Sequence, residues 1–330
     1  MELLLGIGNP LMDLIMHADY PVLEQLDATA GTMNLIDQEQ MKKVVQLGGS
    51  PKQTPGGSCA NTLRGFAWLD QDSKTPHIYM GAVGKDIDGD AFENILQSLG
   101  VIPALGRKDM ATGKSAIIVT PDYERTMFTY LGACREFEEA DVRWDAFKDA
   151  SYLYITGYMW DTENQKTATK RAMETAIKEN VKIVFDLADP FVIHRSGEEL
   201  KEWLPGKVDI LFANNEELSV MTGKEAIEDI LDASRYLSPT IVMKVGADGC
   251  IIVDEKERID VPGKIVVPHD TTAAGDSFAA GYLFGIANRF PPYRCGELAN
   301  ELASNIVTVE GCDYDCIDRK KILEGFADLL

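Results

Sequence analysis

Short, continuous apolar runs alternate with helical patterns along most of the 330-residue chain. Apolar and polar residues do not alternate within these runs, which is typical of strands buried on both faces of a parallel sheet. The βαβα order predicts an α/β fold with a doubly wound, mostly parallel sheet. The predicted strands are 3–8, 77–84, 152–158, 182–187, 209–214, 240–245 and 250–254, and the predicted helices include 91–100, 167–180, 216–223, 275–289 and 293–310.

Two segments, 14–50 and 108–135, lack this rhythm. The second contains two β-rich runs around a Pro-Asp turn, which is a hairpin signal. We expect these segments to form a small β-sheet lid over the site of an α/β enzyme. The α/β core would then consist of residues 1–13, 51–107 and 136–330.

The net charge of −21 argues against nucleic acid or an anionic membrane as a partner. The chain has no run of 18 apolar residues, and its start carries Glu2 and no basic region, so we expect a cytoplasmic protein. Six cysteines are scattered, and only Cys312 and Cys316 are close, so we expect free thiols rather than a zinc site. Whether the protein is a monomer or a homodimer stays open.

The stretch DTTAAGDSF, residues 270–278, lies where an apolar run ends and a long apolar helix pattern begins. A helix N-terminus presents unpaired backbone N–H groups. The small residues Ala273, Ala274 and Gly275 let an anion approach these groups, which predicts an anion hole. Asp276 is either an N-cap or a general base beside a phosphoryl group, and the short motif alone does not decide between them.

Two further motifs each have an ordinary structural explanation and a functional one. KVGADG, residues 244–249, is either a plain hairpin turn or part of a nucleotide site. NNEE, residues 214–217, is either a capping pair of Asn214 and Glu217 or an amide and a carboxylate near Mg²⁺ and phosphates.

Near the N-terminus, PGGSCAN (55–61) puts two glycines before a helix, and GIGNPLMD (6–13) runs from a strand into an Asn and an Asp. Each motif alone reads as a turn. Together with the two motifs above, they put polar groups at the carboxyl ends of four strands, where α/β folds bind ligands.

With these four ordered motifs, the chain resembles the ribokinase-like (PfkB) carbohydrate and nucleoside kinases over nearly its full length. DTTAAGDSF is similar to their C-terminal signature and PGGSCAN to their N-terminal one, with NNEE and KVGADG in the right order between them. The stretches GIGNPLMD, DLADPF and VDILFANNEE are most similar to adenosine kinases and their bacterial relatives.

The resemblance implies transfer of the γ-phosphoryl group of ATP to a primary hydroxymethyl group, with the 5′-hydroxyl of adenosine as the first candidate. Asp276 would be the base, the amides of residues 273–276 would bind the phosphoryl group, and Asn214 and Glu217 would organise Mg²⁺ largely through water. The implied acceptor site is Asn9, Asp13, Gly56, Gly57, Asn61 and Tyr158, and the implied nucleotide site is Arg125, Asn214, Lys244, Gly246, Gly249 and Thr271.

The chain departs from the family pattern in three places. Ala273 stands where the signature usually has Gly, which is tolerable if that residue is right-handed. Lys264 and His269 offer no clear ligand set, so a monovalent cation is not supported. Asn34 is polar where an apolar contact to adenine would be expected.

Alternatives to a nucleoside kinase stay open. Tyr158, Met159 and Trp160 would form the slot that a base needs, although Tyr158 is equally well explained as an aromatic at a strand end. A sugar kinase of the same family needs no such slot, and a catalytically silent binding protein would be expected to lack Asp276. A dinucleotide oxidoreductase is disfavoured because GIGNPLMD lacks the third glycine of the fingerprint.

Overall fold

The structure is a computed structural model that describes residues 2–73, 75–122 and 124–330. Within these residues the strands form two sheets, one of nine strands and one of five. The strands are β1 (Leu3–Ile7), β2 (Leu11–His17), β3 (Met33–Leu35), β4 (Lys52–Gly56), β5 (His77–Gly84), β6 (Val101–Lys108), β7 (Gly113–Val119), β8 (Arg125–Tyr130), β9 (Ala150–Thr156), β10 (Lys182–Asp186), β11 (Ile210–Asn214), β12 (Thr240–Lys244), β13 (Gly249–Val253) and β14 (Arg258–Pro262).

The described helices lie between the strands and at the C-terminal end. They are α1 (Tyr20–Gln25), α2 (Gln38–Gly48), α3 (Ser58–Leu69), α4 (Ile87–Ser98), α5 (Glu163–Lys178), α6 (Pro190–Trp203), α7 (Asn215–Thr222), α8 (Ile227–Ser234), α9 (Ala274–Ala287), α10 (Pro292–Ile306) and α11 (Arg319–Glu324). Short 3-10 helices cover Gly132–Glu136, Glu139–Asp141, Trp144–Lys148, Gly157–Trp160, Gly246–Asp248 and Tyr314–Cys316. Among the described residues, no helix is both long enough and apolar enough to cross a membrane.

The nine-stranded sheet has the order β14-β13-β12-β11-β10-β9-β1-β5-β6. Its strands pair in parallel from β12 to β6, and β13 and β14 pair antiparallel at one edge. The run predicted at 250–254 is therefore an antiparallel strand, because the short turn after β12 is long enough for a hairpin and too short for a crossover. This architecture confirms the predicted α/β class with a mostly parallel sheet and a second, smaller sheet.

Helix α9 is buried from Ser277 to Gly285, as its uniform apolarity predicts. It packs against α3 and α10 and against the main sheet, where Phe278 and Tyr282 contact the ring of Phe212. Because α9 is held on all sides, the loop that leads into it is fixed against the carboxyl edge of the sheet.

The five-stranded sheet has the order β3-β8-β7-β2-β4. The segment 14–50 also contributes α1 and α2, whose apolar residues cover one face of this sheet. Residues 51–56 were assigned to the core above, but β4 pairs antiparallel with β2, with Gly56 opposite Leu11. The small sheet therefore includes the end of GIGNPLMD in β2 and the start of PGGSCAN in β4, because pairing with β4 satisfies the backbone of the outer edge of β2.

Candidate active site

Two cavities meet at Asp276. The first cavity has a volume of about 670 Å³ and lies between the small sheet and the carboxyl edge of the main sheet. The second cavity has a volume of about 570 Å³ and lies beside the N-terminus of α9 and the β12–β13 hairpin. The described residues that line both are Ser58, Ala188, Pro268, Thr271, Ala273 and Asp276. A group at Asp276 is therefore within reach of molecules in either cavity.

The Asp276 carboxylate is held by two side chains from α3. The Ser58 hydroxyl donates to Oδ1 at 2.6 Å, and the Asn61 amide donates to Oδ2 at 2.9 Å. Burial raises the pKa of Asp276 above the ordinary value of 3.8, and the two hydrogen bonds oppose that rise. The N-cap of α9 is Ala273, so Asp276 lies in the first turn and does not serve as the cap.

Ala273 has a left-handed backbone, with φ at 59°. We expected a right-handed residue here, and the structure corrects that expectation. The left-handed conformation turns the chain sharply from the preceding loop into α9, at a cost of about 1–2 kcal/mol for a residue with a Cβ. Strain of this kind often marks a functional turn.

The predicted anion hole lies at this turn. Among the described residues, the amides of Gly275 and Asp276 have no hydrogen-bond acceptor, as expected for a helix N-terminus. The Lys244 ammonium is close by, 3.6 Å from the position of a Cβ built on Gly275. Two free amides and a cation therefore converge where an anion can bind.

Arg125 connects the small sheet to the loop before α9. Its guanidinium donates to the Thr272 hydroxyl at 2.6 Å and pairs with the buried Asp270 carboxylate. Asp270 also accepts from the amides of Thr272 and Gly311. Arg125 lines the first cavity and is absent from the described lining of the second, which differs from the predicted nucleotide-site position. The reason is its ion pair with Asp270, which holds the side chain on the small-sheet side.

Asp13 lies in the polar end of the first cavity. Among the described residues its carboxylate has no hydrogen-bond partner, and burial raises its pKa from 3.8 to about 7 even though Arg64 lowers it. Gly56 makes room for this carboxylate, since an added Cβ would lie 2.1–2.3 Å from its atoms. The unpaired carboxylate is a ready acceptor for ligand hydroxyl groups.

The neighbouring positions in this polar end are tightly packed. Gly57 lines the first cavity with φ at 91°, and an added Cβ would lie 2.2 Å from the Asn9 carbonyl oxygen. Asn9 also lines this cavity, and its side-chain oxygen accepts from Gln165 at 2.8 Å. The structure thus brings Asn9, Asp13 and Gly57 together in one cavity.

Asn61 lies elsewhere than predicted. It is 4% exposed and is absent from the described lining of both cavities. Its amide nitrogen donates to Asp276, and its amide oxygen accepts from Arg64 at 3.0 Å. Because both ends of the amide are engaged inside the protein, the geometry favours a role in holding Asp276 over direct contact with an acceptor.

The far wall of the first cavity is apolar and comes largely from the small sheet. Met33, Leu35 and Met127 face the cavity, with Phe191 opposite. Asn34 lies between the first two on β3 and turns away, donating to the Met127 carbonyl at 3.3 Å. Neighbouring strand residues point to opposite faces, so Asn34 leaves the apolar wall intact and its polarity is no argument against a base there.

Tyr158 lines the first cavity, and its hydroxyl donates to Asp189 at 3.2 Å. Met159 and Trp160, which were expected in the same slot, lie in the core, where Trp160 packs edge-on against Phe185. The Gly157–Trp160 stretch is a tight 3-10 turn, so successive side chains diverge and only Tyr158 reaches the cavity.

The second cavity contains a cation and carboxylates at the ends of neighbouring strands. The Lys244 ammonium lies 3.0 and 3.1 Å from the two carboxylate oxygens of Asp186. Burial lowers the pKa of Lys244, but Asp186 and Glu217 outweigh burial and raise it above 10.5. Sequence reasoning missed Asp186, although an Asp that ends an apolar strand was a usable signal.

Asn214 and Glu217 form the capping pair that was one of the two interpretations of NNEE. The Asn214 side chain accepts from the Glu217 amide, and the Glu217 carboxylate accepts from the amide and side chain of Asn214 at 2.8 and 2.7 Å. Both residues also line the second cavity, and burial raises the pKa of Glu217 to about 7.

Gly246 and Gly249 belong to the β12–β13 hairpin and line the second cavity. Both have positive φ, at 63° and 104°. An added Cβ at Gly249 would lie 2.2 Å from the Val261 carbonyl oxygen, so packing alone explains this glycine. Gly246 has open space around it, which leaves its backbone accessible from the cavity.

Comparisons with known proteins agree with this architecture. Residues 25–319 match the family described as pfkB family carbohydrate kinase. The adenosine kinase of Dictyostelium discoideum is 28% identical, over 96% of this chain and 98% of its own. The crystal structure of adenosine kinase from Sinorhizobium meliloti superposes with a TM-score of 0.91 at 30% identity, over 98% of this chain and 99% of its own.

A probable sugar kinase from Rhizobium etli superposes equally well, with a TM-score of 0.91 at 30% identity over 100% of this chain and 99% of its own. The family relationship inferred from the four sequence motifs is thereby confirmed. Since the family match covers most of the chain, this protein belongs to the pfkB family of carbohydrate kinases.

Proposed function

We propose that this kinase transfers the γ-phosphoryl group of ATP to the 5′-hydroxyl of adenosine or a closely related purine ribonucleoside. The observation that carries the proposal is the position of Asp276, on the wall shared by a cavity with a polar end and an apolar wall and a cavity with an anion site. The acceptor occupies the first cavity and ATP the second. The adenosine kinases among the similar proteins support the choice of acceptor.

In this reaction the Asp276 carboxylate accepts the proton of the acceptor hydroxyl. The hydroxyl oxygen forms a bond to the γ-phosphorus, the bond from that phosphorus to the bridging oxygen breaks, and ADP leaves. The Gly275 and Asp276 amides and the Lys244 ammonium stabilise the charge on the transferring group. A positioned base contributes roughly 10²–10⁴-fold to such a rate.

Asp13 receives hydrogen bonds from the ribose hydroxyls at the polar end of the first cavity. The apolar wall formed by Met33, Leu35 and Met127 packs against one face of the base, and Phe191 packs against the other. Arg125 closes the small sheet onto the loop before α9, which excludes water that would otherwise compete as an acceptor.

Mg²⁺ would enter with ATP and neutralise triphosphate charge. Among the described residues, no group of three or more His, Cys, Asp or Glu side chains is arranged to hold a metal ion directly. Glu217 and Asp186 both face the second cavity, and their oxygens already accept hydrogen bonds. This donor set fits a hydrated ion bound through water and phosphate, which is the usual way that Mg²⁺ binds in such sites.

A sugar kinase is the second candidate, and the structural similarity to the probable sugar kinase from Rhizobium etli favours it. The apolar wall separates the two candidates. A free sugar would place hydroxyl groups against Met33, Leu35 and Met127, where they would lose hydrogen bonds to water without replacement. A nucleoside places its base there instead.

Calorimetric titration with adenosine and with ribose, together with turnover of both at saturating ATP, tests the proposal. A base that stacks on Phe191, opposite this wall, gains about 1–3 kcal/mol, so adenosine should bind roughly tenfold or more tightly than ribose. Leu35→Asn should weaken adenosine binding and spare ribose binding, whereas the nearby Asp37→Asn, which keeps its helix cap, should change neither. If ribose or a hexose binds as tightly as adenosine and is phosphorylated faster, the protein is a sugar kinase.

A further inference from the structure

The buried guanidinium group of Arg64 lies behind the candidate active site, next to the residues that hold Asp276. Arg64 on α3 is 8% exposed and is not among the described residues that line either cavity. Its Nη1 donates to the Asn61 side-chain oxygen and to the Pro55 carbonyl, both at 3.0 Å. Its Nη2 donates to the Cys312 carbonyl at 3.0 Å. The guanidinium therefore joins the double-glycine segment, α3 and the C-terminal segment.

We propose that Arg64 is a positioning residue for the base, which fixes the Asn61 amide so that its NH₂ group, and not its oxygen, faces the Asp276 carboxylate. This inference rests on the proposed function, because it takes Asp276 as the base.

The chemistry of the two side chains supports this orientation. The oxygen and nitrogen ends of an Asn amide have nearly the same shape, so hydrogen-bond partners decide which way it points. Arginine only donates, so the Asn61 oxygen must face Arg64 and the nitrogen is left facing Asp276. Residues three apart on a helix share a face, which places Arg64 and Asn61 side by side on α3.

The bonds to Pro55 and Cys312 keep the guanidinium from swinging away. Pro55 directly precedes the two glycines that lead to Ser58, the second side chain bound to Asp276. Arg64 thus braces both donors, but it touches Asn61 directly and Ser58 only through the chain.

Loss of Arg64 has a defined effect on the pH dependence of the reaction. The Asn61 bond opposes the rise in the pKa of Asp276 that burial causes. If the amide is no longer fixed, this opposition weakens and the pKa of Asp276 rises. The base works only when ionised, so the acidic limb of kcat/KM moves to higher pH. Asp186 and Lys244 also act on Asp276, and Arg64 also lowers the pKa of Asp13, so any shift that remains in an Asn61→Ala background passes through Asp13 and not through Asn61.

The test measures kcat and the pH profile of adenosine phosphorylation for Arg64→Met and Arg64→Lys. We expect Arg64→Met to lower kcat by roughly tenfold to a hundredfold through misplacement of the base, and to shift the acidic limb upward. Arg64→Lys should lower kcat less and shift the acidic limb less than Arg64→Met, because an ammonium keeps the charge and can still donate to Asn61. Arg319→Met is the matched control, since Arg319 also braces α3, at the Leu69 carbonyl, and its contacts are with Leu69 and Asp72 rather than the site.

A double-mutant cycle with Asn61→Ala separates positioning from general support. If Arg64 acts through Asn61, Arg64→Met should change kcat by less than twofold in the Asn61→Ala background. Independent, multiplicative losses or an unshifted acidic limb would overturn the inference. If Arg64→Met does not fold, Arg64→Lys takes its place in the same cycle. Full activity of Asp276→Asn would instead overturn the proposed function, so the two failures are distinguishable.

Discussion

Burial and hydrogen bonding have opposite effects on the pKa of Asp276. Burial makes its carboxylate more basic, and the hydrogen bonds from Ser58 and Asn61 make it less basic while fixing its direction. A base that works near neutral pH needs both: enough basicity to take a proton, and a fixed position beside the attacking oxygen. Phosphoryl transfer also needs donors for the charge on the transferring group, and the free amides at the N-terminus of α9 lie beside the Asp276 carboxylate.

Replacement of Asp276 by Asn tests this arrangement. The variant keeps the shape of the side chain but cannot accept the proton, so we expect kcat to fall by at least about 10²-fold. The dissociation constants of adenosine and ATP should change little, because the side chain binds protein groups rather than ligand in the resting state. Single-turnover kinetics and calorimetry measure the two effects separately. Near-normal turnover would show that Asp276 is structural only.

Asp13 should show a different balance between function and stability. Its pKa is about 7 in the folded protein against 3.8 for a free side chain. The stability that this group contributes is present at low pH, declines as pH rises from about 4 to 7, and is absent above the folded pKa.

Asp13→Asn removes that decline. The free energy of unfolding of the variant should therefore exceed that of the wild type by about 1–2 kcal/mol at pH 8. This is less than the full pKa shift would give, because the Asp13 side chain is only half-buried and solvent screens its charge. The difference should shrink at pH 5. Denaturant unfolding at both pH values measures it. The same variant should raise the KM of the acceptor roughly ten- to a hundredfold and leave that of ATP unchanged. Equal weakening of both ligands, or a stability gain that does not depend on pH, would contradict the role given to Asp13.

At the scale of elements, the turn into α9 holds Ala273, a residue with a Cβ, at a positive φ. Ala273→Gly should raise the free energy of unfolding by about 0.5–1 kcal/mol, because Gly accepts a positive φ without a Cβ clash. Activity should persist, since the backbone amides keep their directions. Ala274→Gly is the matched control: this residue is already helical and gains nothing from Gly. Chemical denaturation measures the free energy of unfolding of both variants. A loss of stability in Ala273→Gly would count against the left-handed turn.

Sequence patterns predicted the elements around the site better than they predicted side-chain directions. The motif GG-x-x-x-N predicted Asn61 as an acceptor-binding residue, but its bond to Asp276 depends on how α3 packs against α9, which local sequence does not encode. Trp160 was misplaced because successive side chains of a 3-10 turn point about 120° apart, so neighbours of Tyr158 do not share its direction. The concern about Asn34 likewise disappears once the register of β3 is known.

At the scale of the whole molecule, continuous apolar runs predicted seven of the nine strands of the main sheet, because strands covered on both faces leave a strong sequence signal. The two edge strands, β6 and β14, were not predicted, because most of their residues are not buried. The order of the strands within the sheet leaves no such signal in the local sequence. Asp186 and Lys244 are 58 residues apart in the chain, and they meet only because β10, β11 and β12 are neighbours in the sheet. This long-range pairing explains why Lys244 was predicted at the site and its partner Asp186 was not.

The two sheets together define the first cavity, and this predicts a change in the whole molecule when an acceptor binds. Leu11, Ile117 and Met127 of the small sheet face the cavity on one side, and Tyr158 and Phe191 of the core face it on the other. A nucleoside between them adds contacts to both, so we propose that the small sheet is a lid that opens and closes.

Hydrogen exchange in β3, β7 and β8 should therefore slow when adenosine is added and stay unchanged with a non-hydrolysable ATP analogue alone, because ATP is assigned to the second cavity. The central strands β10 and β11, buried in the core, serve as the internal reference in the same experiment. Arg125→Ala should speed exchange in the small sheet without ligand, since the bridge to Asp270 and Thr272 is lost. Unchanged protection of the small sheet at saturating adenosine would mean that it is a fixed wall, and the exclusion of water would then need another explanation.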